Sequence, residues 1–124
     1  MGNEEIGRKC EELVARFLSE KRGGFAHVFA GRNGGQQPCD IVSIGRDGIG
    51  VLVDAKHCSR GKLTPGMVQP NQITAFSMMG AEGIRCYFAC VDSEMGIHMV
   101  PAEVVLENVK RNKPTEIGGW GSEI

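Results

Sequence analysis

Two apolar runs separated by a glycine turn constrain the fold of this chain most strongly. The first run is DIVSIG (40–45) and the second is IGVLVDAK (49–56), and both contain the β-branched residues that favour strands. The loop between them, RDG, ends in a glycine, the residue that most readily adopts positive φ at the third position of a three-residue hairpin loop. The pattern predicts a β-hairpin.

The register of this hairpin decides where its two acids point. A three-residue loop pairs Gly45 with Ile49, and therefore Asp40 with Asp54, whose Cβ atoms would lie ~5 Å apart. A two-residue turn would pair Asp40 with residue 55 and place the two acids on opposite faces. Because side chains alternate along a strand, Lys56 shares the face of Asp54. We expect the three-residue loop, with Gly48 at positive φ.

Two opposed carboxylates repel each other, and a divalent cation removes that repulsion. A site made only of oxygen ligands suits Mg²⁺, with Mn²⁺ as an alternative, and Mg²⁺ shares its remaining positions between water and phosphate oxygens. Asp40, Asp54 and Lys56 therefore predict a metal-assisted phosphate site at a strand end. The alternative is a surface ion pair between Asp54 and Lys56 at a frayed sheet edge.

The rest of the chain alternates between helical and strand-like patterns in the order α-β-β-β-α-β-β-α. The predicted elements are a helix over 4–20, a strand over 25–31, a loop over 32–38, the hairpin, a helix over 69–83, strands over 84–91 and 96–101, and a helix over 101–112. This order predicts an α/β domain with a mixed sheet. We expect a single domain over 1–113 and an aperiodic tail over 114–124, whose Trp120 docks on the body or on a partner.

Composition narrows the setting of the protein. The five cysteines form no Cys-x-x-Cys pair, which favours reduced thiols in a cytoplasmic protein, although Cys39, His57 and Cys58 could meet in a zinc site. No apolar run approaches the ~20 residues of a membrane span. The net charge of −1 argues mildly against bulk nucleic-acid binding, but the segment KHCSRGK (56–62) is locally basic and contains no acid.

Short motifs in this order resemble the PD-(D/E)xK nuclease superfamily. PCDIV is followed by DAK across a glycine turn, with Asp54 fourteen residues after Asp40. With GRKCEELVARFL and NQITAF, the pattern is similar to the Holliday-junction-resolvase-like and VRR-NUC-like branches over roughly residues 5–92. The resemblance implies a restriction-endonuclease-like α-β-β-β-α-β core, with a mixed sheet flanked by helices. Two departures are Cys39, which separates the proline from Asp40, and an aspartate at 54 where glutamate is more usual.

The resemblance also implies roles for individual residues. Asp40 and Asp54 would be metal ligands, the carbonyl of Ala55 a further ligand, and Glu11 would reach the metal directly or through water. Lys56 would orient or activate the attacking water and stabilise charge on the phosphate. An ordinary exposed helix acid is the alternative for Glu11.

A glutamine in the helix after the lysine strand is also implied by the resemblance. Gln72 matches it, and it would be catalytic with Glu11, Asp40, Asp54 and Lys56. Gln69 competes with Gln72 for the position, and the alternative for either is a surface amide.

The implied activity is that of a Mg²⁺-dependent deoxyribonuclease that hydrolyses DNA phosphodiester bonds, selective for branched structures as a Holliday junction resolvase is. The DNA contacts would come from basic and polar residues in the flanking loops: Arg32, Asn33, His57, Arg60 and Lys62. A resolvase acts as a homodimer, and four apolar residues could line an interface or belong to the core: Met67, Phe76, Met78 and Met79. The alternatives are a restriction- or repair-type nuclease on duplex DNA and a catalytically silent nucleic-acid-binding module.

Overall fold

The computed structural model describes residues 2–29 and 39–124. Numbered in chain order, the helices are α1 (Asn3–Arg22), α2 (Pro70–Ala81) and α3 (Ala102–Lys110), and a 3₁₀ turn covers Pro65–Met67. The strands are β1 (Phe25–Val28), β2 (Ile41–Ile44), β3 (Gly50–His57), β4 (Lys62–Leu63), β5 (Arg85–Val91), β6 (Ile97–Pro101) and β7 (Thr115–Glu116).

Five of the strands form one mixed sheet in the order β1-β2-β3-β5-β6. β1, β2 and β3 pair antiparallel, β3 pairs parallel with β5, and β5 pairs antiparallel with β6. The parallel step requires a crossover, which α2 supplies. The predicted mixed sheet flanked by helices is confirmed.

Helix α1 covers one face of the sheet. The acids in its first turn and the bases in its last turn, Lys21 and Arg22, complement the helix dipole. The helix ends at Gly23, which has φ +71°. Cys10, Val14 and Leu18 form its buried stripe; full burial of each of the two aliphatic side chains contributes about 1.5–3 kcal/mol. The stripe packs on strand residues of the same core: Ile41, Val51, Val53, Ala89, Val91 and Met99.

Helices α2 and α3 pack on the opposite face. Phe76 of α2 meets Phe88 of β5 edge to face, with ring centroids 5.2 Å apart, and Val105 of α3 is buried in the same cluster. Asp54 faces this side of the sheet, because its register partner on β5 is Phe88. The candidate site therefore lies beside α2, and α1 covers the other face.

The hairpin adopts the predicted register. Ile41 pairs with Val53 and Ile44 with Gly50, the register predicted for the three-residue loop. The ladder ends there, because the amide of Asp40 also donates to Val53 and the Asp40 carboxylate accepts from the amide of Ala55. The amide of Gly45 donates to the carbonyl of Ile49 at 3.1 Å, and Gly48 has φ +79°. Arg22 of α1 fixes this hairpin through bonds to Ser43 and to the Ile49 carbonyl.

Two features differ from the expected element pattern. β1 is assigned only over Phe25–Val28, and residues 30 and 31 of the predicted strand lie outside the described part of the chain. The segment expected to be an aperiodic tail contributes β7, which pairs with β4. Ile117 is buried in the core. Trp120 packs on the body of the domain, one of the two positions expected for it from the sequence.

Candidate active site

Asp54 is the centre of the candidate site. It lies in the middle of β3 and its side chain is fully buried. Oδ1 accepts a hydrogen bond from Nε2 of Gln72 at 2.9 Å, and Oδ2 lies 3.1 Å from Nζ of Lys56. The lysine contact is an ion pair without hydrogen-bond alignment, so Oδ2 has no hydrogen-bond partner among the described residues. The charge of Lys56 therefore compensates this buried oxygen, which keeps lone pairs that a further ligand can bind.

Asp40 lies across the hairpin, just before β2. Its Oδ2 accepts a hydrogen bond from the amide of Ala55 at 3.0 Å, which holds the carboxylate against β3. Its own backbone is tied on both sides, since its amide donates to Val53 at 3.2 Å and its carbonyl accepts from Phe29 at 2.8 Å. The start of β2 is therefore a fixed position from which Asp40 faces Asp54.

Asp40 and burial both act on the Asp54 carboxylate. Burial raises the pKa of Asp54 well above its usual range, the negative charge of Asp40 raises it further, and Lys56 opposes the rise. The order of these effects shows that one lysine does not offset the burial of the carboxylate and its acidic neighbour. The pair is suited to a cation with more charge than an ammonium group.

Glu11 lies on α1 at the rim of this pair. It is half-buried, and burial raises its pKa to about 7, with the charge of Asp40 adding to the rise and Arg8 opposing it. The neighbouring Glu12 is exposed. Glu11 is therefore close enough to Asp40 for their charges to interact.

The structure distinguishes the two glutamines that competed in the sequence. Gln69 is the N-cap of α2, and Gln72 is the third residue of the helix; the two form a reciprocal capping box. Gln72 accepts from the Gln69 amide at 3.1 Å through Oε1, so its Nε2 is oriented towards Asp54. Gln72 is buried and Gln69 is exposed, so only Gln72 contacts the site.

The predicted DNA contacts fall in two regions. Arg60 lies in the turn after β3 and Lys62 begins β4; both are exposed, and we call residues 58–62 the basic loop. His57, the last residue of β3, is half-buried. Lys62 lies 3.9 Å from Glu116, a weak pair between two exposed side chains. The other two predicted contacts, Arg32 and Asn33, lie outside the described residues.

The donor set fits a magnesium ion. Within residues 2–29 and 39–124, no three His, Cys, Asp or Glu side chains are close enough to form a metal cluster by themselves. Asp40 and Asp54 nevertheless offer hard oxygen ligands side by side, and Oδ2 of Asp54 is buried without a hydrogen bond. Mg²⁺ suits such a site, because it commonly binds one or two carboxylates and completes its shell with water and phosphate.

Other cavities and apolar residues do not extend this site. A cavity of about 430 Å³ lies between the end of α2 and the starts of β5 and α3, and none of the site residues lines it. Of the four apolar residues considered for an interface, Phe76 is buried, Met67 and Met79 pack on the core, and Met78 is 62% exposed. No helix of the described residues is long and apolar enough to cross a membrane.

Comparison with known proteins relates this architecture to one solved fold. No protein-family model matches the chain, and no curated protein matches its sequence. Among solved structures, it is similar to Hjc from Archaeoglobus fulgidus, a Holliday junction resolvase from an archaeal hyperthermophile, with a TM-score of 0.59 and 20% sequence identity. The match covers 79% of this chain and 74% of that chain. At this identity the similarity establishes the fold alone.

Proposed function

We propose that this protein is a metal-dependent endonuclease that hydrolyses DNA phosphodiester bonds and selects branched DNA. The observation that carries the proposal is the state of Asp54: a fully buried carboxylate with Lys56 and Gln72 on its two oxygens and the charge of Asp40 close by. Burial of Asp54 next to Asp40 raises its pKa, which costs folding free energy when the carboxylate is ionised. Acids with strongly shifted pKa values occur most often at functional sites. The fold shared with a Holliday junction resolvase supports the same conclusion.

Each residue has a role that follows from its position. Asp40 and Asp54 would hold Mg²⁺, with the Ala55 carbonyl as a further ligand. Glu11 would act through water, because it forms no three-carboxylate cluster with the two aspartates. The bound ion would lower the pKa of a water molecule and stabilise negative charge on the phosphate. Lys56, with only 15% of its side chain exposed, places its ammonium beside Asp54, where it can orient water and stabilise developing charge.

Gln72 and the basic loop complete the proposed site. Because Gln72 fixes Oδ1 of Asp54, it limits the rotation of that carboxylate and so directs Oδ2. Arg60 and Lys62, with Arg32, Asn33 and His57, would bind phosphates along the backbone, contacts that position DNA and do not read its sequence. A junction has two equivalent strands to cut, so we expect a homodimer.

A cleavage assay tests the proposal. Four-way junction, flap, duplex and single-stranded DNA would be incubated with the protein in Mg²⁺, Mn²⁺ or EDTA, and Asp54→Asn would serve as the inactive variant. Cleavage of junctions that requires the metal and Asp54 supports the full proposal. Preference for linear duplex would instead support a restriction- or repair-type nuclease, and binding without cleavage in any metal would indicate a silent nucleic-acid-binding module.

A further inference from the structure

His98 of β6 lies between two hydrogen-bond acceptors. Nδ1 is 2.6 Å from the carbonyl oxygen of Trp120, and Nε2 is 2.8 Å from Oδ2 of Asp92. Carbonyl and carboxylate oxygens can only accept, so each ring nitrogen needs a proton to donate. The contacts therefore fit the imidazolium form, whereas a neutral ring would turn a lone pair towards one of the two oxygens.

The groups around His98 favour this charged form. Asp92 is itself held in place, since its Oδ1 accepts from the amides of Glu94 and Gly96 at 2.9 and 2.8 Å. The bond to Asp92 raises the pKa of His98 above the ordinary value of 6.5, against an opposing effect of burial. Two thiols of the described residues also face His98: Cys58, just after β3, and Cys90, the register partner of His98 on β5.

The acceptor on Nδ1 belongs to the C-terminal segment, residues 115–121. This segment runs along β6, where the amide of Met99 donates to the carbonyl of Gly121 at 2.8 Å. The segment also contacts the basic loop, because the amide of Ile117 donates to the carbonyl of Gly61 at 3.1 Å and β7 pairs with β4.

Gly61 stands between Arg60 and Lys62, the two exposed cations of that loop. Ile117 is buried in the core, and its carbonyl accepts from the amide of Trp120 at 3.0 Å, so the attachment of Trp120 and the bond to Gly61 meet at this one residue. A displacement of Trp120 would therefore loosen the support of the loop.

We propose that protonated His98 is a positioning residue that fastens the C-terminal segment to β6, so that loss of its proton loosens the segment and weakens phosphate binding by Arg60 and Lys62. The second half of this inference rests on the proposed function, and the first half does not. A histidine whose pKa is raised by folding contributes stability that is fully present below its unfolded pKa and is lost as the pH rises through the folded pKa. The segment is thus held most firmly in mildly acidic solution.

Trp120 provides a direct measurement, because it is the single tryptophan of the chain. Its fluorescence would be followed in metal-free protein from about pH 5.5 to 9, the range in which perturbed histidines titrate. We expect one transition in the native protein, its loss in His98→Gln, and a lower midpoint in Asp92→Asn, which keeps the shape of the side chain but removes the charge. His27→Gln, in β1, is the matched control and should keep the native transition.

The protection factors of the Ile117 and Gly61 amides, which correct hydrogen exchange for its intrinsic base catalysis, should fall over the same pH range in the same samples. Because His98→Gln could destabilise the protein, circular dichroism and the midpoint shift in Asp92→Asn keep the test independent of that variant. A native protein without a transition, or one whose midpoint is unchanged in Asp92→Asn, would overturn the proposal.

Binding of a four-way junction in EDTA then tests the consequence for DNA. At constant ionic strength we expect the affinity for the junction to fall by up to about fivefold as the pH rises through the transition, because one or two exposed ion pairs have an effect of this size. In His98→Gln the affinity should not change with pH over this range. A DNA affinity that does not change across the fluorescence transition refutes the link between His98 and the basic loop. A normal transition in a protein that binds no DNA at any pH refutes the proposed function and the loop consequence, while supporting the attachment of the segment by His98.

Discussion

Nε2 of Gln72 lies 2.9 Å from Oδ1 of Asp54 and joins the first turn of α2 to the middle of β3. The same glutamine accepts from the Gln69 amide, so one side chain both caps the helix and orients the central carboxylate. Helix formation and the geometry of the site are therefore coupled through this residue.

Substitution of the two glutamines separates these effects. Gln69→Ala and Gln72→Ala each remove half of the capping box and should each lower the free energy of unfolding by about 1 kcal/mol. Only Gln72→Ala should also lower the cleavage rate, by about 10–100-fold, as expected when a partner that orients a metal ligand is lost. Single-turnover rates and urea denaturation measure the two quantities. Equal rate losses in both variants would show that Gln72 acts through the helix alone.

Asp54→Asn should abolish cleavage and leave the metal-free protein at least as stable as the native one at neutral pH. Its surroundings raise the pKa of Asp54 despite Lys56, so the fold disfavours the ionised carboxylate and tolerates a neutral amide. Mg²⁺ should stabilise the native protein, by about 2.7 kcal/mol at one hundred times its dissociation constant, but not the variant.

Thermal unfolding with and without Mg²⁺ measures this difference. Asp47→Asn, which alters an exposed acid of the same hairpin, is the control and should keep the metal response. An Asp54→Asn protein that unfolds would show that the carboxylate has a structural role.

Lys56→Ala should lower the cleavage rate by about 10²–10³-fold and change DNA affinity little, because its ammonium is largely buried beside Asp54. Arg60→Ala and Lys62→Ala should do the reverse, since both side chains are exposed, and each should reduce the salt dependence of binding by about one phosphate contact. Anisotropy titrations at several salt concentrations and single-turnover rates distinguish them. Equal losses of affinity and rate in all three variants would make Lys56 one more phosphate contact.

Local rules were sufficient to predict the register of the hairpin, because the three-residue loop sets it. The position of Asp40 depends in addition on the bond between its carboxylate and the amide of Ala55, which no strand pattern predicts. The small β4–β7 ladder could not be predicted, since two-residue strands leave no periodicity and their pairing depends on distant parts of the chain. The same limit applies to His98, whose partners Asp92 and Trp120 come from separate segments. The choice between Gln69 and Gln72 needed the helix start, which sequence patterns place only within a few residues.

Glu11 should make the stability of the metal-free protein depend on pH. Because folding raises its pKa from the ordinary value of 4.5 to about 7, the folded state binds the extra proton, and stability falls as the pH rises between these values. Asp54 acts in the same direction, so Glu11→Gln should reduce this dependence without removing it. Denaturant unfolding across that range tests the prediction, with Glu12→Gln as the exposed control. If the free energy of unfolding depends on pH as strongly in Glu11→Gln as in the native protein, Glu11 lies in solvent, away from Asp40.

Gly48→Val should weaken metal binding together with stability. Gly48 has φ +79°, and a Cβ added there would meet nothing within 4 Å, so the cost of the valine is backbone strain alone, of about 1–2 kcal/mol. We expect relief of that strain to shift the hairpin that carries Asp40 and Asp54. Gly83→Val is the matched control, since Gly83 has φ +86°, equally free space and a position after α2, away from the hairpin. Both variants should lose similar stability, but calorimetric titration with Mg²⁺ should show weaker binding only for Gly48→Val. Equal Mg²⁺ affinities in the two variants would mean that the turn does not control the spacing of the carboxylates.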